Sequence, residues 1–247
     1  MDKLNLCNQH TVIDLFAGCG GLSLGLEEAG FVPIYVNELN NDALETYLIN
    51  RDKEYPYLRT DFFSNDIKDH IYKKDFFKKL KKKFKSKLNV ERVDLIVGGP
   101  PCQGFSGIGH RRSYSVDKAQ LPSNHLYEDM VYFIHKIKPK IFLFENVEGL
   151  LRSKWTKNGK KGEIFNDVLS TFKSLKNYNI KFSLVKAKDY GVPQNRPRVI
   201  IIGIDKKIRI RGEKDSIDAL ESGFLPMPTN DYPQLEDFFL DLIDKNF

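Results

Sequence analysis

One cysteine of the sequence sits in a loop whose composition suits nucleophilic chemistry. The loop runs from Gly98 to Ser106 with the sequence GGPPCQGFS and follows the apolar run 93–97, which predicts a buried parallel strand. The paired glycines and prolines end this strand abruptly and fix the backbone that follows. Open α/β sheets place their chemistry at the carboxyl ends of strands. We therefore interpret Cys102 as a nucleophile rather than as a small buried apolar residue.

A carboxylate and two arginines are predicted at the ends of other strands. The apolar run 141–144 indicates a central strand, and Glu145 follows it directly in the sequence Glu-Asn-Val. Further on, Arg196 and Arg198 lie one residue apart after a Gly-Val-Pro turn, so they point to one face of an extended segment. We expect Glu145 to lie beside the Cys102 loop. The alternatives are a helix cap for the carboxylate and plain surface charge for the arginines.

The start of the chain has the layout of a nucleotide-binding crossover. A predicted strand, 11–16, leads into a glycine turn and a helix over 22–29. Glycines let the backbone approach a ligand, and the helix N-terminus offers free N–H groups; the alternative is a tight structural turn. Glu38, after a second predicted strand over 33–36, can accept hydrogen bonds from both ribose hydroxyls of an adenosyl ligand. It can equally stabilise the N-terminus of a helix over 41–50.

These stretches together resemble the C5-cytosine DNA methyltransferases over roughly residues 11–240. The sequence GPPCQGFS is similar to the catalytic loop of that family, and Asp-Leu-Phe-Ala-Gly-x-Gly-Gly is similar to its S-adenosylmethionine loop. Glu-Asn-Val and Gln-x-Arg-x-Arg match two further blocks. The resemblance implies an α/β fold with a doubly wound, Rossmann-like methyltransferase sheet that is incomplete at its C-terminal end.

The resemblance also implies S-adenosylmethionine as the cofactor, without a metal. The implied contacts are Phe16, Gly18, Gly20, Gly21, Leu22, Glu38, Leu39, Asp66, Ile67 and Pro101. Of these, Asp66 would accept a hydrogen bond from the adenine amino group. Asp61 is a rival for that role, and Asp66 can also be only a helix cap.

The implied reaction begins with addition of the Cys102 thiolate to carbon 6 of cytosine, which makes carbon 5 able to take a methyl group. Glu145 would hydrogen-bond ring nitrogen 3 and the exocyclic amine through a carboxyl that carries or shares a proton. Arg198 would bind oxygen 2, and Arg196 would orient the loop or a phosphate. The base must leave the stacked duplex to reach these groups.

The remaining patterns predict a set of ordinary elements. We expect a short third strand within 55–62, a lysine-rich amphipathic helix over 78–87, helices over 124–137 and 164–175, and strands over 181–187 and 199–204. The lysines are interpreted as a solvated face, with a DNA-facing patch as the alternative. The polar stretch 107–121 is predicted to be a mobile loop, with Arg111, Arg112 and Lys118 available to phosphates.

Composition narrows the class of protein. The net charge of +6 and the pI near 9.0 make a polyanionic partner plausible. Three cysteines without zinc or disulfide spacing suggest a reducing compartment. No signal peptide or membrane-length apolar run is recognisable. We therefore expect a cytoplasmic, bacterial-type protein associated with the nucleoid.

The predicted organisation is a catalytic domain over 1–205 and a tail over 206–247 that leads toward a target-recognition domain. The expected partners are duplex DNA and a second polypeptide that carries that domain and a final helix, so that apolar surface near Phe16 and Leu22 would be exposed. A truncated piece of a longer enzyme would give the same sequence pattern. Two other functions remain open: methylation of cytosine in tRNA, and a non-catalytic subunit that binds DNA or a partner.

Overall fold

The computed structural model describes residues 4–101, 122–209, 223–229 and 231–232. Within that part of the chain the strands are β1 His10–Leu15, β2 Phe31–Asn37, β3 Phe63–Ser64, β4 Leu95–Gly98, β5 Ile141–Val147, β6 Tyr178–Lys186 and β7 Pro197–Asp205. They form one sheet in the order β3-β2-β1-β4-β5-β7-β6. The first five in that order run parallel, and β7 is antiparallel to both of its neighbours. This confirms the predicted α/β class.

Helices connect the parallel strands. They are α1 Gly21–Glu28, α2 Asn41–Ile49, α3 Tyr57–Asp61, α4 Lys68–Ile71, α5 Phe76–Lys83, α6 Leu126–Ile137 and α7 Glu163–Lys173. A π-helical turn, Phe84–Leu88, extends α5, and 3₁₀ turns lie at Pro122–His125, Glu148–Arg152 and Ala187–Tyr190. Among the described residues, none of the helices combines the length and the apolar character that a membrane span requires.

The third strand is the element for which the sequence prediction was wrong. Residues 57–61 form the helix α3, and the strand follows as the two-residue β3. The aromatic residues that favoured a strand instead pack into the core, where Phe62 is fully buried and stacks on Phe84 with ring centroids 5.7 Å apart. Tertiary packing therefore outweighs the local preference for an extended chain.

The lysine-rich segment folds as its pattern predicted, as α5 and the π-helical turn. Leu80, Phe84 and Leu88 are each no more than 4% exposed, so the apolar positions spaced four residues apart form one buried stripe. The lysines between them lie on the outer surface.

The carboxyl end of β4 and its two neighbouring strands determine where the functional groups lie. β4 is central in the sheet, between β1 and β5, and its carboxyl end is in register with the carboxyl end of β1 through Leu15 and Gly98. On the other side Gly98 is in register with Phe144, one residue before Glu145. The glycine loop after β1, the loop after β4 and the acidic end of β5 therefore meet at one edge of the sheet.

Apolar side chains of α1 cover part of one face of the sheet. Leu22 and Leu26 pack there against the buried cluster of Val12, Leu95 and Val97. Phe16 and Leu22 are half-buried, so the apolar surface predicted near them is partly open. The exposed apolar residue of α1 is Leu24, at 56%.

Candidate active site

The loop after β4 is shaped by two close approaches. The last strand residue, Gly98, lies under the Met130 side chain, where a Cβ would meet the sulfur at 3.0 Å. A Cβ on Gly99 would meet Oε2 of Glu145 at 3.0 Å. A side chain at position 99 would therefore press on the carboxylate that the sequence predicted to work beside this loop.

Asn146 ties the end of β5 to the same loop. Its side chain is 4% exposed, and its Nδ2 donates to the carbonyl of Pro100 at 3.1 Å. Its Oδ1 accepts from the N–H of Val147 at 2.8 Å. Sequence reasoning quoted Asn146 only as part of a motif and gave it no role. Its role here is to position the proline pair that leads to Cys102.

Cys102 itself lies outside the described residues, as do Arg111, Arg112 and Lys118. The neighbouring Pro101 is described and is exposed. The structure thus describes this loop up to Pro101, the residue before Cys102.

Glu145 and Arg198, to which the family resemblance gives roles toward the same base, lie in contact. Nε of Arg198 lies 2.5 Å from Oε1 of Glu145, and the two side chains are 20% and 29% exposed. The contact is an ion pair, although the Nε–H does not point at the oxygen well enough to count as a hydrogen bond. One guanidinium N–H group of Arg198 donates instead to the carbonyl of Pro197 at 2.8 Å. Because both groups are half-shielded from water, their interaction is stronger than a surface pair.

Arg196 lies apart from that pair. It is exposed, in the extended segment just before β7, and its carbonyl accepts from the N–H of Ala187 at 3.2 Å. The structure therefore places Arg198, not Arg196, against the carboxylate.

The glycine loop after β1 is closed by the side chain predicted to bind ribose. Oε2 of Glu38 accepts from the N–H of Gly18 at 2.8 Å, and its Oε1 accepts from the N–H of Asn40 at 2.8 Å. A carboxylate can accept about four hydrogen bonds, so it keeps free acceptor positions for hydroxyl groups. Next to it, the Leu39 side chain is 67% exposed and offers an apolar surface at the mouth of the loop.

The predicted adenine-binding turn is held at the same rim. Asn37, at the end of β2, donates to the carbonyl of Asn65 at 2.6 Å, which brings Asp66 close to the segment of Glu38. Oδ1 of Asp66 accepts from the N–H of Lys68 at 2.8 Å, so the side chain does act as a cap. Ile67 is 4% exposed and belongs to the core.

Asp61, the alternative candidate for the adenine contact, is engaged in ion pairs. It forms ion pairs with Lys83, at 3.1 Å, and with Lys87. Hydrogen bonding to Lys87, and then to Lys83, holds the pKa of Asp61 below its usual range. Within the described part of the chain, Asp66 forms no ion pair with a lysine, whereas Asp61 forms two.

A buried network beneath the glycine loop was missed by sequence reasoning. Arg51, at the end of α2, is 5% exposed and donates to the carbonyl of Gly20 at 3.2 Å. Its guanidinium forms an ion pair with Glu27 at 2.6 Å and lies 3.9 Å above the ring centroid of Tyr47. A Cβ on Gly20 would meet both the Arg51 guanidinium and the Tyr47 ring at 2.7 Å. Arg51 and Tyr47 therefore leave no room for a side chain at position 20, and this holds whether or not a ligand occupies the outer side of the loop.

A buried carboxyl group continues this network. Oδ2 of Asp14 accepts from the hydroxyl of Ser23 at 2.6 Å, and that hydroxyl lies 2.9 Å from the hydroxyl of Tyr47. Burial raises the pKa of Asp14 to about 7, against the lowering effects of Ser23 and Arg51. The network fixes α1 and α2 to the end of β1, and with them the glycine loop between β1 and α1.

The described residues fit S-adenosylmethionine. A Cβ added at Gly18 or Gly21 would meet nothing within 4 Å, so the outer side of the loop is open to a ligand. Acceptor groups for ribose and for an amino group lie at its rim in Glu38 and Asp66, and Leu39 supplies an apolar contact. This is the donor and acceptor set that an adenosyl group needs.

Comparisons with known proteins agree with this geometry. A family model described as C-5 cytosine-specific DNA methylase matches residues 10–245. The type II methyltransferase M.DdeI of Desulfomicrobium norvegicum is 36% identical over 193 residues, which are 78% of this chain and 40% of that protein. The type II methyltransferase M.BsuRI of Bacillus subtilis is 33% identical over 245 residues, 92% of this chain and 50% of that protein. The chain spans about half the length of the curated relatives it matches.

Solved structures share the fold. A prophage-encoded E. coli protein assigned as a DNA modification methyltransferase superposes with a TM-score of 0.64 at 28% identity, covering 93% of this chain and 54% of that chain. The S. pombe Dnmt2 methyltransferase superposes with a TM-score of 0.54 at 17% identity, covering 92% of this chain and 58% of that chain. The second likeness shows the fold alone.

Proposed function

Because the chain belongs to the C-5 cytosine-specific DNA methylase family, we propose that it methylates carbon 5 of a cytosine flipped out of duplex DNA. The observation that carries the proposal is the contact between Glu145 and Arg198 at the edge of the sheet where the Cys102 loop begins. A carboxyl group and a guanidinium held side by side match the nitrogen 3 and oxygen 2 edge of cytosine. This function requires access to cellular DNA, which the cytoplasmic location predicted from the sequence provides.

The proposed reaction uses Cys102 as the nucleophile. Its thiolate forms a bond to carbon 6, and the electron pair of the 5,6 double bond moves toward nitrogen 3 and oxygen 2. Glu145 supplies or shares the proton at nitrogen 3, and Arg198 stabilises the charge on oxygen 2. Carbon 5 would then take the electrophilic methyl group of bound S-adenosylmethionine, whose remainder would leave as S-adenosylhomocysteine. Transfer of the carbon 5 proton to water then restores the double bond and expels the thiolate.

The proposed cofactor site is the open side of the glycine loop. Backbone groups of the loop, at Phe16, Gly18, Gly20, Gly21 and Leu22, surround one side of the ligand. Glu38 accepts from the ribose hydroxyls. Leu39, Asp66, the backbone of Ile67, and Pro101 complete the contacts. The buried network of Arg51 and Asp14 acts only by positioning this loop.

The proposal includes a second polypeptide or chain segment that supplies target recognition. The curated relatives are about twice as long as this chain, which supports a division in which 1–205 carries catalysis and 206–247 leads toward the recognition part. The exposed Leu24 on α1 supports an apolar contact on that side. We expect the lone chain to bind DNA weakly and without sequence preference. The assay is tritiated methyl transfer to mixed-sequence duplex DNA, with and without the added recognition polypeptide.

The test of the chemistry is covalent capture on DNA that contains 5-fluorocytosine, which cannot lose its carbon 5 substituent. We expect mass spectrometry to find an adduct on the peptide that carries Cys102, dependent on S-adenosylmethionine. Cys102→Ser should abolish the adduct, and Cys7→Ser, which removes an exposed cysteine elsewhere, should leave it unchanged. An adduct formed equally well by Cys102→Ser would contradict the proposal. Preferential methylation of tRNA would instead establish the alternative substrate.

A further inference from the structure

A group of lysines lies where α5 packs against α6, away from the candidate active site. The two helices are held together by aromatic contacts: Phe77 meets Phe133 with ring centroids 5.1 Å apart and Tyr132 with centroids 5.9 Å apart. Lys136 lies on the same side of α6, with its Nζ 5.0 Å from the Tyr132 centroid. The aromatic packing therefore fixes the distance between the charged side chains of the two helices.

The lysine surface consists of Lys78, Lys81, Lys82, Lys136 and Lys138. The first three share one flank of α5, because residues three and four apart are neighbours on a helix. Among the described residues, no carboxylate forms an ion pair with any of the five. By contrast, Lys83 and Lys87 on the opposite flank both pair with Asp61. The same helix thus has a neutralised flank and an uncompensated one.

The charges on the lysine surface interact with each other. Partial burial, and then the like charges of Lys138 and Lys136, lower the pKa of Lys81. Like charges held together without counter-charges destabilise a folded protein. A polyanion would relieve that repulsion, whereas a merely solvated face needs no such concentration of charge.

The lysine surface lies at the opposite edge of the sheet from the active site. α6 ends at Ile137, just before the amino end of β5, whereas Glu145 lies near the carboxyl end of that strand. Four residues of a strand span about 13 Å. A duplex that presents its base to Glu145 therefore has the phosphates that flank this base at the other edge of the sheet, away from these lysines.

We propose that the lysine surface binds the phosphate backbone of a second segment of duplex DNA, separate from the segment that presents the target base. This proposal depends on the proposed function in one respect, which is that a protein acting on DNA identifies the polyanion as duplex DNA. A duplex carries one negative charge per about 1.7 Å of its axis, so a surface about 10 Å across, one interhelical distance, faces several phosphates. The contact reads no sequence and keeps the protein on DNA between target sites.

The test measures binding of the full chain to a fluorescein-labelled duplex of poly(dA)·poly(dT), which contains no cytosine to flip. Fluorescence anisotropy is recorded from 50 to 200 mM salt. The test variant is Lys81→Gln/Lys136→Gln. The matched control is Lys83→Gln/Lys87→Gln, which removes the same charge from the neutralised flank of α5. Circular dichroism checks that both variants are folded.

We expect the test variant to reduce the salt slope by about 2, so that the fall in affinity between 50 and 200 mM is about tenfold smaller than for the parent chain. The control should change the slope by much less. Equal effects of the two variants, no binding by the parent chain at 50 mM, or tighter binding of an RNA duplex would each overturn the proposal. Covalent capture by Cys102 is measured on different DNA, so failure of the proposed catalysis is seen separately.

Discussion

Arg198 contacts Glu145 diagonally across two antiparallel strands. In the register of β5 and β7, Glu145 lies opposite Ile200 and Arg198 lies opposite Val147. The two charged side chains are therefore two positions apart on one face, a distance that long side chains bridge easily. The antiparallel direction of β7 thus brings an arginine from the far end of the sequence to the acidic end of β5. In the proposed reaction, the entering cytosine meets a carboxylate and a guanidinium that are already in place.

We expect Glu145→Gln to slow methyl transfer by about a hundred- to ten-thousand-fold, the usual contribution of acid–base assistance. Glutamine keeps the size of the side chain and loses the ability to share a proton with nitrogen 3. The measurement is single-turnover transfer by the active, complemented enzyme. Glu148→Gln, which alters an exposed pair with Arg152 in the following turn, is the control and should leave the rate unchanged. A Glu145→Gln rate within a few-fold of the parent would remove Glu145 from the chemistry.

We expect Glu38→Ala to weaken S-adenosylmethionine binding by about ten- to a hundred-fold, because charge-assisted hydrogen bonds contribute about 1.5–3 kcal/mol. The variant loses the ribose acceptor and also frees the N–H of Gly18 that Glu38 holds. Calorimetry on the folded protein measures the affinity. Glu28→Ala, which removes an exposed carboxylate from α1, is the control for charge. Equal affinities for Glu38→Ala and the control would place the ribose contact elsewhere.

The sequence could predict those site residues that follow strands directly. Glu38 and Glu145 each come at or next to the end of an apolar run, so the sheet itself brings them to one edge. Arg51 gave no such signal, because it lies in the turn after α2 and reaches Gly20 only through tertiary packing. The segment 55–62 was mispredicted for a related reason: its aromatic residues suit a strand, yet burial of Phe62 against Phe84 favours a helix followed by two strand residues.

We expect Gly20→Ala to destabilise the protein by about 2–5 kcal/mol. Gly20 has a φ of +92°, and a Cβ there would meet the fully buried Tyr47 ring at 2.7 Å. Overpacking costs about 1–3 kcal/mol and the left-handed backbone about another 1–2 kcal/mol. Gly18→Ala is the matched control, since its φ is +57° but its Cβ would meet nothing within 4 Å. Urea unfolding should show a clearly smaller loss for Gly18→Ala, and equal losses would argue against the packing from Arg51 and Tyr47.

Asp14 should make the free energy of unfolding fall as pH rises from about 4 to about 7. Burial raises the pKa of this carboxyl from 3.8 to about 7 in the folded protein, where Ser23, Tyr47, Arg51 and Glu27 surround it. Between those two values the folded state holds a proton that the unfolded state has released. Raising the pH therefore favours unfolding until the folded carboxyl also ionises. Each pH unit well inside this window contributes about 1.4 kcal/mol, and the slope falls as the pH approaches 7, so the range from pH 5 to pH 7 contributes about 2 kcal/mol.

Asp14→Asn should remove that dependence, because the amide is neutral at every pH and its oxygen can still accept from Ser23. Urea unfolding of the parent and the variant at pH 5, 6, 7 and 8 gives the difference in stability at each pH. We expect this difference to shift in favour of the variant by about 2 kcal/mol between pH 5 and pH 7 and to level off near pH 8. Asp94→Asn is the control, because the pKa of Asp94 is shifted in the opposite direction from that of Asp14. Burial alone would raise the pKa of Asp94, but its bonds to Lys140 and Thr11 hold that pKa below the usual range. The stability that Asp94 contributes is present above its unfolded pKa and is lost only as pH falls into the acid range, so its difference should stay level from pH 5 to pH 8. A constant difference between the parent and Asp14→Asn over the same range would show that the carboxyl under the glycine loop is already ionised at pH 5.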